Sequence, residues 1–402
     1  MQNNSIEIGD ILDVATERLA YGGDAIARHN GLAIFIPFAA PGERLRVRIV
    51  ERRKNFARAV IEEILEPSSV RRPAPCHHFG DCGGCQLQHM TYEAQLEAKT
   101  GFVRDALERV GKIDWQQKIE VRHAAEFGYR SRAQVKIERF NPQNPESRSV
   151  GFNRTGTHAI CDVTSCPVLV PELQSSLATL RSFINQPAQA VRRDLTELEM
   201  GAGDASVAFE PPLSGLPGGD LEKKVKGANY RFSPSTFFQV NPLMLETLID
   251  EAVAQYSGAV AIDLYAGVGL FTIQLGRRFS NVIGVEGDRQ AARFARENIS
   301  ANKMTNIRFD NARVEQWLKE FTTRSSPDLV LLDPPRVGAA EAVTYIAEMK
   351  PRIISYVSCD PTTLARDLRK LIDSGYKLER VSAIDLFPQT FHIETVAVLK
   401  KL

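Results

Sequence analysis

The chain has none of the long apolar runs that would carry it across a bilayer. No stretch approaches the roughly 18 consecutive hydrophobic residues of a transmembrane helix, and the opening Met1-Gln2-Asn3-Asn4-Ser5 is polar where a secretory signal would be hydrophobic. A cytoplasmic protein without a membrane partner is the expectation. An excess of either charge is also missing, since 50 Lys and Arg face 49 Asp and Glu for a formal net charge of +1. Any attraction to polyanions must therefore come from local patches. Cysteine is sparse, six among 402 residues, and in a reducing compartment that argues against a disulfide framework and leaves metal binding or catalysis. Internal repeats and low-complexity tracts are absent as well, which excludes repeat architectures.

What is present is apolar content, 43% over 402 residues, enough for two or three separately packed domains. Residues 6–64 alternate short β-type runs with turn residues: Leu19-Ala20-Tyr21-Gly22-Gly23, Gly31-Leu32-Ala33-Ile34-Phe35-Ile36-Pro37, Pro41-Gly42-Glu43, then Leu45, Val47 and Ile49. That spacing predicts a small β-barrel over residues 1–65. The Pro- and Arg-bearing segment from Glu66 to Pro75 reads as a linker. Leu96, Phe102, Val103, Ala106, Leu107 and Val110 fall at helical spacing between Tyr92 and Val110, a stripe suited to packing. Residues 66–228 read as a mixed α+β middle domain, with strands near Ala133 to Phe140 and Val150 to Phe152, a helix near Leu173 to Ile184 and a Gly/Pro-rich stretch from Pro211 to Gly219. Residues 229–402 then alternate: strand Val260 to Leu264, helix Leu270 to Arg278, strand Asn281 to Val285, helix Arg289 to Ala301, strands Asp328 to Leu332 and Arg352 to Val357. This is the pattern of an α/β domain with a mostly parallel, doubly wound sheet.

Polar chemistry gathers at the strand ends of that last domain. In Asp263-Leu264-Tyr265-Ala266-Gly267-Val268-Gly269, Gly267 and Gly269 let backbone N–H groups approach a ligand between strand and helix. Glu286 ends the next strand 23 positions after Asp263, close to the spacing at which an acid accepts two ribose hydroxyls. A nicotinamide fingerprint wants a small residue three positions past the second glycine, and Thr272 stands there. Asp333-Pro334-Pro335-Arg336 ends another strand. Ile354-Ser355-Tyr356-Val357-Ser358-Cys359-Asp360-Pro361 places a lone thiol where an apolar strand becomes a turn, and Glu394 interrupts the apolar run Phe391 to Leu399, where burial would raise its pKa toward that of a working base. Each has a plainer reading: Cys359 as an inert buried thiol, Glu394 as a carboxylate meeting solvent at a strand entrance. Cys76, Cys82 and Cys85 form C-x5-C-x2-C, with Cys161 and Cys166 far downstream; that spacing allows a four-cysteine zinc site or an iron–sulfur site, while His77, His78 and His89 read as loop histidines. Positions 44 to 58 hold seven Lys or Arg against Glu51, and positions 122 to 154 hold seven against three acids, with Phe127, Tyr129, Phe140 and Phe152 interleaved. Such strips suit phosphates and bases, or are simply a solvated face and core rings.

The D-x-Y-x-G-x-G run resembles motif I of the class I S-adenosylmethionine-dependent methyltransferases. Ser358 to Asp367 is similar to the nucleophile motif, His392-Ile393-Glu394-Thr395-Val396 to the base motif and Phe237-Phe238-Gln239-Val240-Asn241-Pro242 to the block before the core of the RNA uracil-5-methyltransferase family. The resemblance covers nearly the whole chain and points to the branch that modifies 23S ribosomal RNA. It implies S-adenosyl-L-methionine as cofactor, held at Gln239, Tyr265, Glu286 and Asp333 beside Gly267 and Gly269. It also implies a Rossmann-like methyltransferase domain, with Cys359 adding to uracil C6 and Glu394 removing the C5 proton. Residues 6–64 resemble a TRAM domain, an RNA-binding barrel. The early cysteines resemble a motif that holds a [4Fe-4S] cluster on Cys76, Cys82, Cys85 and Cys161, with Cys166 a rival fourth ligand and zinc left open by spacing. The expected partner is 23S rRNA, with transfer RNA the alternative, no DNA, and a monomeric enzyme. The rival readings are a non-catalytic RNA-binding protein and a nicotinamide-dependent oxidoreductase. Helix N–H groups beginning near Pro361-Thr362-Thr363-Leu364, or cations, are expected to lower the Cys359 pKa. Two positions depart from the family pattern: Leu270 stands where some relatives carry asparagine, and Asn311 and Ala312 both compete for a cofactor contact after the strand near Ile307 to Phe309.

Overall fold

The computed structural model describes residues 6–138, 148–186, 195–253, 256–321 and 326–402. Phe140, and with it the end of the strand expected from Ala133, lies outside these residues. The chain divides into two compact units, each discontinuous in sequence. The first holds residues up to Phe102, Phe152–Cys161 and Phe387–His392; the second holds Val103–Gly151, Asp162–Leu386 and Ile393–Leu402.

In the first unit, β1 (Ile11–Leu19), β2 (Ala25–His29), β3 (Leu32–Ile36), β4 (Arg44–Arg52) and β5 (Phe56–Glu66) close into a barrel of order β1-β2-β3-β5-β4. Period-2 alternation makes the wall two-faced. Leu45, Val47 and Ile49 of β4 are fully buried, whereas Arg44, Arg46 and Arg48 between them meet Glu66, Asp13, Glu63 and Glu62 on the neighbouring strands. Arg53 and Arg58 likewise pair with Glu51 and Asp24. The basic strip read from the sequence is thus largely a cross-strand ion-pair ladder. Helix α1 (Tyr92–Arg109) starts in this unit, where its Phe102 joins a core with Ile34, Ile36, Leu87 and Met90.

The second unit begins with β6 (Glu120–Arg122), β7 (Arg132–Ile137), β8 (Val150–Asn153), β9 (Ile160–Asp162), α2 (Pro171–Ile184), β10 (Glu197–Ala202), β11 (Val207–Glu210), β12 (Leu221–Val225) and β13 (Ala228–Phe232), with β8 and β9 shared with the first unit. It continues through α3 (Leu245–Val253), β14 (Gly258–Leu264), α4 (Leu270–Gly276), β15 (Phe279–Glu286), α5 (Arg289–Ala301), β16 (Ile307–Asn311), α6 (Val314–Glu320), β17 (Leu329–Leu332), α7 (Ala342–Met349), β18 (Ile353–Ser358), α8 (Pro361–Asp373), β19 (Tyr376–Ile384) and β20 (Glu394–Lys401). A five-stranded sheet has order β11-β10-β7-β8-β9, β12 and β13 form a hairpin, and the large sheet runs β16-β15-β14-β17-β18-β20-β19-β6. Its first five strands are parallel. Strands covered on both faces should be apolar throughout, and all four residues of Leu329-Val330-Leu331-Leu332 are buried.

Register decides where function can sit. Leu264 pairs with Val285 and with Leu332, and Leu332 with Tyr356, so the chain leaves β14, β15, β17 and β18 along one carboxyl edge. Strand β20 enters antiparallel to β18 with Ser358 opposite Thr395. Cys359 directly follows Ser358 and Glu394 directly precedes Thr395, and the Glu394 carboxyl acts electrostatically on the thiol.

Candidate active site

The Gly-rich turn after β14 is built on left-handed backbone: φ is +59° at Tyr265, +56° at Gly267 and +89° at Gly269. A non-glycine residue there costs on the order of 1 kcal/mol, and Tyr265 is held against that cost by its hydroxyl, which donates to Glu315 Oε1 at 2.7 Å. Gly267 N donates to Glu286 Oε2 at 2.8 Å and Asp288 N to Oε1 at 2.7 Å, so the acid at the end of β15 is fixed by both turns. Asn311 Nδ2 and Ala312 N both donate to the Glu286 carbonyl, at 2.8 and 3.0 Å. These two positions, left open by the sequence, both brace Glu286. Leu270 starts α4 buried, its carbonyl accepting from the Tyr230 hydroxyl at 3.1 Å.

Four acids converge here. Asp263 is wholly buried; its Oδ2 accepts from the Thr272 hydroxyl and its Oδ1 has no hydrogen-bond partner among the described residues. Burial, with Asp333 and Glu286 nearby, raises its pKa to about 7. Burial likewise raises Asp333 to about 7, and Gln239 Nε2 lies 3.5 Å from its Oδ2. Glu394 is buried at the entrance of its strand, Oε1 without a hydrogen-bond partner among the described residues. Its pKa stands well above the carboxylate range, from burial and then the charge of Asp333, with Arg336 opposing. The solvent-facing alternative for this carboxylate is therefore excluded. Asp333 thus acts on both Asp263 and Glu394, and Arg336 opposes it at Glu394.

The Cys359 thiol does not have the environment expected of it. Burial, then Glu394 and Asp333, push its pKa up to about 12, and the opposing group is the Arg336 guanidinium. Helix α8 gives no help, because its free N–H groups at Thr362 and Thr363 are taken by the N-cap Asp360, whose Oδ1 accepts from them at 2.9 and 3.0 Å. An aspartate is a strong N-cap, and here it takes up the N–H groups that this end of the helix would offer. The cation half of the expectation falls to Arg336, a role that D-P-P-R suggested only by position.

Comparison with known proteins agrees with this geometry. Residues 219–402 match the family described as tRNA (uracil-5-)-methyltransferase, and residues 6–61 match the TRAM domain. An RNA methyltransferase of Aquifex aeolicus, described as uncharacterized, is 34% identical, the match covering 97% of this chain and 98% of that protein. The 23S rRNA (uracil(1939)-C(5))-methyltransferase RlmD of Cronobacter sakazakii is 32% identical, with 98% and 96% covered. The crystal structure of Pyrococcus abyssi tRNA (uracil-54, C5)-methyltransferase in complex with S-adenosyl-L-homocysteine is similar with a TM-score of 0.74 and 26% identity, covering 96% of this chain and 100% of that one. The chain belongs to the RNA uracil-5-methyltransferase family. It is an S-adenosylmethionine-dependent RNA (uracil-C5)-methyltransferase whose N-terminal barrel is a TRAM domain, and the oxidoreductase reading falls away. No helix among its described residues is long and apolar enough to cross a membrane.

This methyltransferase keeps a second group of reactive side chains in its first unit. Cys76, Cys82, Cys85 and Cys161 all belong to that unit, none in a disulfide, whereas Cys166 belongs to the second. The loop around Cys82 is tied to the residues before Cys161: Gly83 N donates to Asn153 O at 2.9 Å, Thr155 N to Asp81 O at 2.8 Å, and Asp81 pairs with Arg154. Burial raises the Cys82 pKa, Cys76 adds to the rise, and hydrogen bonds from Gly84 N (3.4 Å to Sγ) and Cys161 counter it. Cys161 in turn lies 3.7 Å from His78 Nδ1, so that histidine borders the thiols. His89 sits buried in a turn, and burial pushes its pKa down to about 4. Among the described residues no three His, Cys, Asp or Glu side chains converge as they would on a single ion. Four thiolates around a cubane bind four separate irons and need not converge on a point. Cys82 lies against Cys76 and Cys161, and Gly84 N donates to its Sγ.

Proposed function

We propose that this enzyme methylates C5 of a specific uridine in 23S rRNA through a covalent bond between Cys359 and uracil C6, and that Cys76, Cys82, Cys85 and Cys161 hold a [4Fe-4S] cluster. The observation that carries the first part is the pairing of Ser358 with Thr395, next in sequence to Cys359 and Glu394, with Asp333 and Arg336 acting electrostatically on both.

Uracil C5 is too weak a nucleophile until something adds across the ring. Bonding of Cys359 Sγ, as the thiolate whose proton has gone to solvent, to C6 pushes an electron pair into an enolate with carbanion character at C5. C5 then takes the methyl group from the sulfonium of S-adenosylmethionine, releasing S-adenosylhomocysteine. Glu394, ionised, accepts the C5 proton; the C6–S bond breaks, the C5–C6 double bond re-forms and the thiolate leaves. Glu286 takes the ribose hydroxyls, while Gln239 and Asp333 orient the methionine moiety or the uracil. Unstacking the target base costs a few kcal/mol, and the exposed Phe237 (58%) and Val337 (74%), beside Gln239 and Arg336, offer apolar surface to bases. A bound cluster would cross-link its loop to Cys161 and could carry an electron; the methyl transfer uses neither property. Identity of 32% to an enzyme named for 23S rRNA, against 26% to one named for transfer RNA, supports the ribosomal substrate.

Mapping 5-methyluridine in RNA from cells lacking the protein should show one site lost from 23S rRNA, whereas a loss confined to transfer RNA would replace the substrate. In vitro, Cys359→Ser should abolish turnover and Glu394→Gln should accumulate an RNA–protein adduct, because methylation precedes the blocked proton removal. Full methylation by Cys359→Ser would sink the mechanism. Anaerobically purified protein should show the brown absorbance of iron–sulfur; a colourless, zinc-bearing protein would replace the cluster.

A further inference from the structure

Helix α8 leaves the sheet directly behind Cys359 and turns one face, at positions i, i+3, i+4 and i+7, toward the backbone that follows Asp333. Thr363 Oγ1 donates to Arg336 O at 3.1 Å, Arg366 Nη2 to Val337 O at 3.1 Å and Lys370 Nζ to Ala340 O at 3.0 Å, while Asp367 Oδ2 accepts from Ala339 N at 2.8 Å. Between these anchors the chain turns at Gly338, whose N donates to Pro335 O at 2.8 Å and whose φ is +75°. A Cβ at Gly338 would stand 2.6 Å from Arg366 Nη2 and 2.8 Å from Asp367 Oδ2, so the turn lies directly on the helix. Four of the five residues from Arg336 to Ala340 are therefore tied to α8 by hydrogen bonds, and the fifth by contact.

Asp367 is the centre of this clamp. It is wholly buried, and besides Ala339 N it accepts from Arg366 Nε at 2.8 Å and from the Tyr356 hydroxyl at 2.8 Å. Tyr356 lies on β18, three residues before Cys359. Keeping a carboxylate out of water costs several kcal/mol unless its oxygens are bonded, and the bonds of this one go to the fold: the Gly338 turn, α8 itself and the strand that carries the thiol.

We propose that Asp367 is a positioning residue for methyl transfer: by binding Ala339 N, Arg366 and Tyr356 it fixes the Gly338 turn and hence the place of the Arg336 guanidinium beside Cys359. The proposal rests on reading Cys359 as the nucleophile. Arg336 is the cation that opposes the carboxylates around that thiol, so a displaced guanidinium leaves less thiolate at any given pH, tenfold less per pKa unit below the pKa.

The test is the pH profile of Cys359 alkylation by iodoacetamide, followed by mass spectrometry to resolve that thiol from the other five, together with single-turnover methylation. Full-length wild type, Asp367→Asn, Thr363→Val, Arg336→Ala and the Arg336→Ala/Asp367→Asn double variant are compared. Asp367→Asn keeps the shape but loses the charge, and should slow alkylation about tenfold and displace its profile to higher pH, with kcat falling more than KM; Thr363→Val, which removes the hydroxyl bonded to Arg336 O and Asp360 O, should do the same to a smaller degree. On the Arg336→Ala background Asp367→Asn should add nothing, because both changes remove the same interaction. A wild-type alkylation profile in Asp367→Asn, or losses that multiply in the double variant, would overturn the proposal. If Asp367→Asn fails to fold, Thr363→Val decides on the same readouts. Failure of the nucleophile reading would show separately, as methylation retained by Cys359→Ser.

Discussion

Asp263 shows how much one buried carboxyl sets the behaviour of this site. It is fully enclosed, its Oδ1 lacks a hydrogen-bond partner among the described residues, and burial first, then Asp333 and Glu286, lift its pKa from 3.8 to about 7. A carboxyl raised in the folded state holds a proton that the unfolded chain has already released. Its contribution to stability is thus complete below about pH 4 and is lost as pH rises to about 7. Three pKa units correspond to on the order of 4 kcal/mol. Urea unfolding of the ligand-free protein should accordingly show stability falling between pH 4.5 and 7.5, and Asp263→Asn, neutral throughout, should flatten that slope. Equal slopes for the two proteins would mean that Asp263 is ionised in the fold. Residue types at strand ends were legible from the sequence: Cys359, Glu394, Asp333 and Glu286 do share one edge. Their ionisation was not, because it depends on burial and on neighbours distant in sequence, with Glu394 and Asp333 raising the thiol and Arg336 opposing them.

Among the elements, legibility followed burial and capping. Helix α5 occupies the expected Arg289 to Ala301, since Asp288 Oδ1 caps Ala291 N at 2.7 Å and an apolar stripe follows. The parallel strands were visible as continuous apolar runs. The hairpin β12–β13 was not: Glu222, Lys223 and Lys224 dilute its alternation, and its turn at Lys226 and Gly227, with φ of +44° and +71°, lacks the usual Asn-Gly. Strand β6 is three residues long, too short to declare itself. The motif I turn permits a sharper test of what a glycine is for. A Cβ at Gly267 would meet nothing within 4 Å, and one at Gly269 only Ala295 and Thr272, at 3.6 Å or more. Space is thus available at both, and backbone strain decides. Gly267, at +56°, sits in the left-handed well that other residues can enter, whereas Gly269, at +89°, lies beyond it. Alanine should cost about 1 kcal/mol at 267 and more at 269, with S-adenosylhomocysteine affinity, read by calorimetry, falling in the same order. The reverse order would assign these glycines to ligand clearance.

On the scale of the whole molecule, the first unit is assembled from three stretches of chain, and it encloses Phe387–His392, the segment just before Glu394. Gln389 anchors that segment. Its carbonyl accepts from Gln86 N and Leu87 N, both at 3.0 Å, its N donates to Gln95 Oε1 at 3.1 Å and its Oε1 accepts from Gln95 Nε2 at 3.0 Å. Gln86 and Leu87 directly follow Cys85, so the cysteine loop and the approach to β20 are bonded to each other inside one unit. On the proposed ligand set, the cluster closes the stretch from Cys85 to Cys161, 161 − 85 = 76 residues. A covalent cross-link over a loop of that length removes chain entropy worth about 4 kcal/mol. Losing it should therefore loosen the first unit while the large sheet keeps its own core. Hydrogen exchange on anaerobically prepared wild type and Cys161→Ser should show the amides of Gly83, Gln86, Leu87 and Thr155 losing protection by orders of magnitude, with those of β14, β15, β17 and β18 little changed. Cys166→Ser, in the second unit, should leave the first four amides protected. If Cys166→Ser rather than Cys161→Ser exposed them, the fourth ligand would be misassigned; if neither did, the early cysteines would not tie this unit together.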